Sequence, residues 1–498
     1  MALNPKKIYE DLEKGEIDKL TAVDLLIYLI GNNDLIETRQ ECIENLLRIG
    51  VKNDKVFSVL EDLLVSDPNL EIRELSAQGL KILFKEGALP PLKWALEHEK
   101  SWQLLVTIVS IIQELDNLKS IRVLFDKIKK IDDYKFIKSL KSLLKTKKIQ
   151  NLKSKNLAEI LNNYIIINHL KDTLKEFNYQ IENGLVEELD LSFISNETFG
   201  WKILIHLSEL IEVINNLKRL ELKSNTIGKF PESIFSLNSI AYLDLSHNNI
   251  SKLPDQLEGL QSLEYLNLRY NQLTFIPHSI GTLKNLKTLD LKHNKVSNLP
   301  PTISNLSSLE VLNLHGNQLT TLPSSLKDLY SLEKLKLGLN NLKSVPKWIR
   351  NLQSLRKLSL GGNKSLSNIE EWIVYLPPIS ELNLYDSDIK SIPESIGSFD
   401  SLEVLILPNN HISTLPEPFK NLTSLKILDL SWNDITYLPE WIDSLTSLEE
   451  LNLRGNKLSS LPESISSLQS LKTLDITLNK NLIQLPKDFD KKGVQIVR

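Results

Sequence analysis

The sequence predicts an α/β solenoid, with parallel strands on its concave face, that follows an all-α domain. A 23-residue pattern recurs through the C-terminal three-fifths of the 498-residue chain. Self-similarity at a period of this length is the signature of a repeat architecture. The N-terminal part lacks the pattern and contains few glycines. Its apolar residues are spaced by three and four positions, as in amphipathic helices.

The pattern L-x-x-L-x-L-x-x-N-x-L-x-x-L-P-x-x-I-x-x-L-x-S predicts 13 units. A degenerate copy begins at Val186, and regular copies then follow from Leu217 at steps of 23 residues, with one step of 24 between Leu355 and Ile379. In that irregular unit a residue is inserted after the asparagine and the proline is replaced by Glu370. We therefore expect a local irregularity in the solenoid there.

Each repeated position has a physical reason. Leucines such as Leu266 and Leu268 alternate in the way that a short strand with one buried face requires. A single unit cannot bury these leucines, so neighbouring units must stack into a continuous core. The aliphatic-proline step, as at Leu253-Pro254, leaves room for only a short helical turn on the far side.

An asparagine follows the strand in nearly every unit. Its amide is expected to satisfy backbone groups at a turn that water cannot reach. Ser387 replaces it in one unit. The asparagines are Asn225, Asn248, Asn271, Asn294, Asn317, Asn340, Asn363, Asn410, Asn433, Asn456 and Asn479.

These units resemble the intracellular leucine-rich-repeat proteins of the Ras-suppressor, Scribble and plant Ras-group type, whose units share this length and the L-P-x-x-I segment. The resemblance covers about residues 186–490. It implies a horseshoe-shaped solenoid, and it implies a small Ras-type GTPase or a phosphatase as the partner. The residues that carry the resemblance lie in the core, so they do not themselves select a partner.

The N-terminal region contains a second, helical repeat. The segment 34–47 aligns with the segment 69–83 at an offset of 34, which places Arg39 over Arg73 and Cys42 over Ser76. Paired helices with an arginine near the start and a small residue one turn later resemble HEAT repeats. This resemblance covers about residues 20–115.

Three domains are predicted from these patterns: HEAT-like helices over residues 1–115, a helical extension over 116–184 that caps the solenoid, and the leucine-rich solenoid over 185–498. Residues 156–180 are expected to form one long helix whose apolar side covers the open edge of the first repeat unit.

Composition excludes several classes of protein. The 59 basic and 63 acidic residues give a net charge of −4, which argues against a nucleic-acid-binding surface over the whole chain. The single cysteine, Cys42, excludes a disulfide framework and is predicted to be a small core residue. The sequence has no apolar run of membrane-spanning length and no signal peptide. We therefore expect a cytoplasmic protein of unknown oligomeric state.

No catalytic or metal-binding pattern was found. The eight histidines show no paired spacing typical of a metal site, and His247 and His293 are interpreted as polar surface residues. The sequence therefore predicts a non-catalytic scaffold without a cofactor, which binds a protein partner on its concave strand surface.

Exposed strand positions provide the candidate partner-binding residues. The middle position between the last two leucines of each unit is mainly Asp or Asn, a solvated series that Lys336, Ser359 and Ile406 interrupt. Exposed aromatic and basic residues are typical of interaction hot spots. The predicted binding residues are Tyr242, Tyr265, Arg269, Tyr270, Lys292, His315, Lys334, Lys336, Arg356, Lys357, Tyr385, Ile406 and Trp432.

A basic segment at residues 127–155 supports an alternative function. Its lysines would let the protein act as a membrane- or nucleic-acid-associated adaptor. The competing interpretation is a solvated helix face around a buried apolar stripe. That stripe would consist of Ile128, Ile131, Phe136, Leu140, Leu143 and Leu144.

Overall fold

The computed structural model divides into two compact units, Met1–Leu189 with Phe199–Leu217, and Asp190–Thr198 with Lys218–Arg498. The structure describes residues 4–145, 151–196, 200–482, 484–486 and 493–497. Within these ranges no helix combines the length and the apolar character needed to cross a membrane.

The first unit is mainly helical. Several of its helices begin at asparagine, aspartate or serine caps; Asn69, for example, accepts a hydrogen bond from the Ile72 backbone N–H. The helices are α1 Pro5–Glu13, α2 Lys19–Asn32, α3 Ile36–Ile49, α4 Asp54–Ser66, α5 Leu70–Phe84, α6 Leu89–His98, α7 Trp102–Leu115, α8 Leu118–Ile128, α9 Tyr134–Ser139, α10 Lys141–Leu144, α11 Ser154–Thr173, α12 Gly200–Ile205 and α13 Leu207–Val213.

The predicted long helix over residues 156–180 is wrong at its C-terminal end. Helix α11 ends at Thr173, and strands β1 Asn178–Glu182 and β2 Leu185–Asp190 follow it. The two strands are joined by Asn183 and Gly184, both of which have positive φ (52° and 81°). This is the Asn-Gly pair that favours a two-residue turn between paired strands, so the local turn chemistry overrides the helical spacing.

The aligned arginines of the helical unit form equivalent buried contacts. Arg39 pairs with Asp67, whose side chain is only 2% exposed, and Arg73 pairs with Glu99 at 3.2 Å. Cys42 is fully buried, as predicted, and burial raises the pKa of its thiol to about 12. A protonated, inaccessible thiol is a core residue and not a nucleophile.

The second unit is a parallel sheet in which each repeat adds one strand. Neighbouring strands pair in register, so that the central leucines align, as Leu312 does with Leu335 and Leu335 with Leu358. The strands are β3 Arg219–Glu221, β4 Tyr242–Asp244, β5 Tyr265–Asn267, β6 Thr288–Asp290, β7 Val311–Asn313, β8 Lys334–Lys336, β9 Lys357–Ser359, β10 Glu381–Asn383, β11 Val404–Ile406, β12 Ile427–Asp429, β13 Glu450–Asn452, β14 Thr473–Asp475 and β15 Gln495–Val497.

The repeated positions behave as their chemistry predicts. Leu266 and Leu268 are buried, and short 3-10 turns such as Ser324–Asp328 follow the repeat prolines on the far side. The irregular unit replaces this turn by Ile369–Glu371 and Ile373–Tyr375. The predicted architecture, a solenoid preceded by a helical region, is confirmed.

The repeat asparagines form a buried ladder. In a typical unit the Asn340 amide donates to the carbonyls of Leu314 and Leu337, both at 2.9 Å, and its Oδ1 accepts from the Leu319 backbone N–H at 2.9 Å. Each asparagine thus joins its own unit to the preceding one. At Ser387 the hydroxyl reaches only the Tyr385 carbonyl, at 3.0 Å.

Candidate functional site

The solvent side of the sheet is assembled from residues at fixed positions in each repeat. We call "strand face" the first and third residues of each strand from β3 to β14, together with the residue two positions before the repeat asparagine. The residue immediately before the asparagine forms a neighbouring row, the "corner row". Because strand register is exact, equivalent residues of successive units lie side by side.

A stack of rings occupies the first row of the strand face at β4 and β5. Tyr242 and Tyr265 lie parallel with ring centroids 4.3 Å apart, and the Arg219 guanidinium lies 3.4 Å above the Tyr242 ring. Arg219 is held there by its ion pair with Glu221 at 2.8 Å. Burial raises the pKa of both phenols, so both tyrosines are hydrogen-bonding groups without charge at neutral pH.

The corner row has a left-handed backbone. Its residues have φ between +49° and +77°, whether or not they are glycine. This conformation is uncommon for residues with a Cβ. Its non-glycine members include His247, Tyr270, His293, Leu339 and Trp432.

Rings stack along the corner row through three successive units. The Tyr270 ring lies 4.4 Å from His247 and 4.5 Å from His293. His315, on the strand face of the next unit, continues the series with its ring 5.4 Å from His293. The result is one continuous aromatic surface along several repeats.

Two glycines allow this surface to extend further. A Cβ on Gly338 would lie 2.8 Å from His315 Nδ1, and a Cβ on Gly361 would lie 2.2 Å from the Tyr385 ring. His315 and Tyr385 therefore lean toward each other across the two intervening units, and their ring centroids are 6.5 Å apart. Side chains at these glycines would displace both rings.

The imidazoles of this surface are uncharged at neutral pH. Burial, followed by the positive charges of Lys292 and Lys336, lowers the pKa of His315 to about 4 from its usual 6.5. Burial also lowers the pKa of His247 and of His293, with neighbouring Arg269 and Lys292 acting in the same direction. Positive charge on this surface therefore comes from lysine and arginine.

Acidification is expected to destabilise the solenoid through His315. Since its pKa is lower in the folded chain than in the unfolded chain, the folded state binds fewer protons, and stability is lost as pH falls from about 6.5 toward about 4. We expect His315→Gln to reduce the loss of unfolding free energy between pH 7 and pH 5 by about 1 kcal/mol, after discounting for solvent contact. Urea unfolding at pH 7 and at pH 5 measures this loss of unfolding free energy for the variant and the wild type. His278→Gln, at an exposed outer turn, is the control, and an equal effect of both substitutions would contradict the assignment.

Three lysines give the strand face a positive centre. Lys336 is exposed, Lys334 and Lys292 are half-buried, and in the described part of the chain none of the three forms an ion pair. In the row just before the strands, by contrast, charges of adjacent units form ion pairs, as in Lys287–Glu264 at 2.7 Å and Lys426–Glu403 at 3.0 Å. The three central lysines therefore keep positive charge that no carboxylate of the described residues neutralises through an ion pair.

An apolar area adjoins this centre. Val404 pairs with Ile427 in register, and Ile406 lies on the same face, half-buried. Trp432 lies in the corner row of the β12 unit and is 51% exposed. Its ring packs over Gly455, where a Cβ would lie 2.8 Å away.

The predicted site residues fall into three groups. Arg269, Tyr270, Lys292, His315, Lys334, Lys336 and Tyr385 surround the central aromatic and basic surface, Tyr242 and Tyr265 lie toward one end, and Ile406 and Trp432 lie toward the other. Arg356 and Lys357 have local partners. Arg356 donates to the Gln353 carbonyl at 2.9 Å, and Lys357 pairs with Glu381 at 2.7 Å.

Sequence reasoning missed part of this surface. The sequence predicts His247 and His293 as polar surface residues, and the structure adds that each lies against the Tyr270 ring. Leu339 and Arg219 were not recognised as members of the surface. The signal was available in the fixed position of His247, Tyr270, His293 and Leu339 directly before the repeat asparagine.

The alternative basic segment has many engaged lysines. Lys127 Nζ donates to the Leu96 carbonyl at 2.8 Å, Lys135 Nζ donates to the Tyr179 carbonyl at 2.7 Å, and Lys130 pairs with Glu97 at 3.1 Å. Residues 146–150 of this segment lie outside the described residues. In the apolar stripe, Ile128, Ile131, Phe136 and Leu140 are buried, whereas Leu143 and Leu144 are half-buried.

Histidine, cysteine and carboxylate side chains do not gather into groups of three that could hold a metal ion, as far as the described ranges extend. The side chains of the aromatic and basic surface offer stacking, apolar packing and ion pairing to a partner.

Comparison with known proteins gives consistent matches to one family. The family models described as leucine-rich repeat region and leucine-rich repeat match residues 255–376 and 373–455, 215–273, and 447–468. No curated protein sequence gives a significant match.

Solved structures of the same repeat type are similar to this chain. A leucine-rich-repeat protein of Leptospira interrogans is 30% identical over 58% of this chain and 86% of that chain, with a TM-score of 0.44. The ectodomain of the plant receptor kinase GASSHO1/SCHENGEN3 from Arabidopsis thaliana is 27% identical over 56% of this chain, with a TM-score of 0.44, and the match spans only 39% of that ectodomain. An internalin of Listeria monocytogenes is 19% identical over 56% of this chain and 88% of that chain, with a TM-score of 0.40.

The family matches agree with the 23-residue period, the parallel strands and the buried asparagine ladder. All of these features lie in the same stretch of the chain. They show that this chain belongs to the leucine-rich-repeat proteins.

Proposed function

We propose that this protein is a non-catalytic scaffold or adaptor that binds a protein partner through its strand face and corner row. Leucine-rich-repeat domains bind protein partners. One observation supports this surface most strongly: lysines that form no ion pair with any described residue share a face with exposed aromatic and apolar side chains. Aromatic and basic groups of this kind are enriched at interaction hot spots.

A preformed surface favours tight binding. Strand register and stacked rings fix the contact groups before the partner arrives, so that little conformational entropy is lost on association. The exposed lysines would also accelerate the encounter with an acidic partner and make its rate sensitive to salt.

Finer assignments follow from the resemblances. The proposal includes HEAT-like repeats over residues 1–115, with the repeated Arg39–Asp67 and Arg73–Glu99 pairs as support. It also includes the extension over 116–184 and the solenoid over 185–498. A cytoplasmic role with a Ras-type small GTPase or a phosphatase in signalling is the partner class that the 23-residue repeat class suggests.

The alternative, binding of a membrane or nucleic acid through residues 127–155, has mixed support. Lys127, Lys130 and Lys135 already have partners, whereas Lys138, Lys141, Lys145 and Lys153 are exposed and form no ion pair with a described residue. Electrostatic binding of that kind would need several available cations on one surface.

Comparative capture from native lysate tests the proposal. The triple variant Arg269→Glu/Lys336→Glu/Trp432→Ala is expected to lose at least about tenfold of a specific captured protein, because hot-spot residues dominate binding energy. The matched control is Lys327→Glu/Lys343→Glu/Tyr330→Ala, which alters exposed residues away from the strand face. Circular dichroism must first show that both variants are folded. Retention of every wild-type partner by the first variant would overturn the proposal.

A further inference from the structure

The corner row carries side chains that the fold does not require. Gly316, Gly362 and Gly455 occupy this row with φ of +69°, +77° and +69°. Leu339 and Trp432 occupy the same position with φ of 51° and 53°. Glycine adopts this conformation without the steric cost that a Cβ incurs. The larger residues therefore adopt a strained backbone conformation that glycine would adopt at lower cost. Strain of this kind is typical of functional positions.

These side chains are also poorly buried. Tyr270, Leu339 and Trp432 are 41%, 39% and 51% exposed. Leu339 lies over Gly362, where a Cβ would be 2.5 Å from it, and Trp432 lies over Gly455 in the same manner. The apolar surfaces thus lie flat along the row and face solvent, so that they add little to the core.

The positive charges nearby are not neutralised by the sheet. The Asp290 carboxylate accepts from the Lys292 backbone N–H at 2.9 Å, so it acts as a turn cap. Lys334 and Lys336 share strand β8 and have no ion pair with any described residue. A partner that supplies carboxylates here would form ion pairs with these lysines.

We propose, on the basis of the proposed function, that the partner segment is an extended, acidic stretch of protein. Its apolar side chains pack on Tyr270, Leu339 and Trp432, and its carboxylates pair with Lys292, Lys334 and Lys336. Tyr270 and Trp432 are seven repeats apart, or roughly 34 Å at the usual strand spacing. An extended chain of about ten residues spans that length.

Peptide display on the full-length chain tests this proposal. Random 12-residue peptides are selected on the wild type, on Lys334→Glu/Lys336→Glu and on Leu339→Gly/Trp432→Gly. The control, Lys327→Glu/Lys343→Glu, reverses two exposed lysines away from the strand face. We expect the wild type and the control to enrich acidic peptides with apolar residues, and both the lysine variant and the corner-row variant to bind them at least tenfold more weakly.

A thermal melt separates partner contact from a structural role. Since glycine relieves the left-handed strain, Leu339→Gly/Trp432→Gly is expected to melt at the same temperature as the wild type or higher. A lower melting temperature would assign these side chains to the fold and would overturn this inference.

The selection also distinguishes this inference from the proposed function. Peptides that require the strand face but are not acidic would overturn the acidic partner and leave the strand face as a binding site. Peptides that bind all variants equally would overturn both. If no peptide is enriched, the proposal that the partner segment is an extended stretch of chain is overturned, while capture from lysate still tests the strand face as a binding site. A random RNA pool that competes equally well in a lysine-dependent manner would also overturn a protein partner.

Discussion

Asn340→Ala is expected to lower the unfolding free energy of the solenoid by about 3–5 kcal/mol. The substitution leaves the carbonyls of Leu314 and Leu337 and the N–H of Leu319 without their amide partner in a buried turn. Each unsatisfied buried group costs about 1–3 kcal/mol. Urea unfolding followed by circular dichroism measures the loss.

The neighbouring residue provides a matched control. Asn341 is exposed, and its contact with the preceding unit is a backbone hydrogen bond to the Leu319 carbonyl. Asn341→Ala keeps that bond and is expected to change stability by less than about 0.5 kcal/mol. If Asn340→Ala has an effect as small as its control, the asparagine ladder does not join the repeats in the way described.

Asp67→Ala is expected to destabilise the helical unit by about 3–5 kcal/mol. Asp67 is almost fully buried, pairs with Arg39, and accepts from the Asn69 backbone N–H at 2.9 Å. Its removal leaves the Arg39 guanidinium without a carboxylate in a site that water reaches poorly. Removing one partner of a buried ion pair is strongly destabilising because the remaining charge is uncompensated. Thermal and urea unfolding of the full chain measure the effect.

A variant of an exposed ion pair and a double variant test whether the uncompensated Arg39 charge causes the loss of stability. Asp24→Ala removes the carboxylate of the exposed Lys55–Asp24 pair and is expected to cost at most about 1 kcal/mol. Adding Arg39→Met to Asp67→Ala should recover part of the loss, since the buried charge is removed. A double variant that is less stable than Asp67→Ala alone would contradict the uncompensated-charge explanation.

Most of the solenoid could be predicted from the sequence because its signals are periodic and local. The leucine spacing gives the strands, and the asparagine at its fixed place gives the ladder that Asn340 illustrates. The helix predicted over 156–180 failed where Asn183-Gly184 favoured a turn between strands. There the apolar spacing was compatible with both structures, and the turn residues decided between them.

The candidate site was only partly predictable. Exposed strand positions could be identified by register, and most of the predicted basic and aromatic residues lie on the strand face, with Tyr270 and Trp432 in the corner row and Arg356 just before β9. The contacts between these side chains could not be predicted. His315 and Tyr385 approach each other only because the two units between them carry Gly338 and Gly361, and the residues of this arrangement are up to 70 positions apart in the sequence. The ion pair between Lys357 and Glu381 likewise could not be predicted without the register of the neighbouring strands.

Lysine-reactive labelling of the captured complex, read by mass spectrometry, tests the strand face most directly. We expect partner binding to reduce labelling of Lys292, Lys334 and Lys336 several-fold, while Lys327 and Lys343 of the β8 repeat and its neighbouring turn are labelled as in the isolated chain. Protection confined to the helical unit, with the three strand-face lysines labelled unchanged, would contradict it.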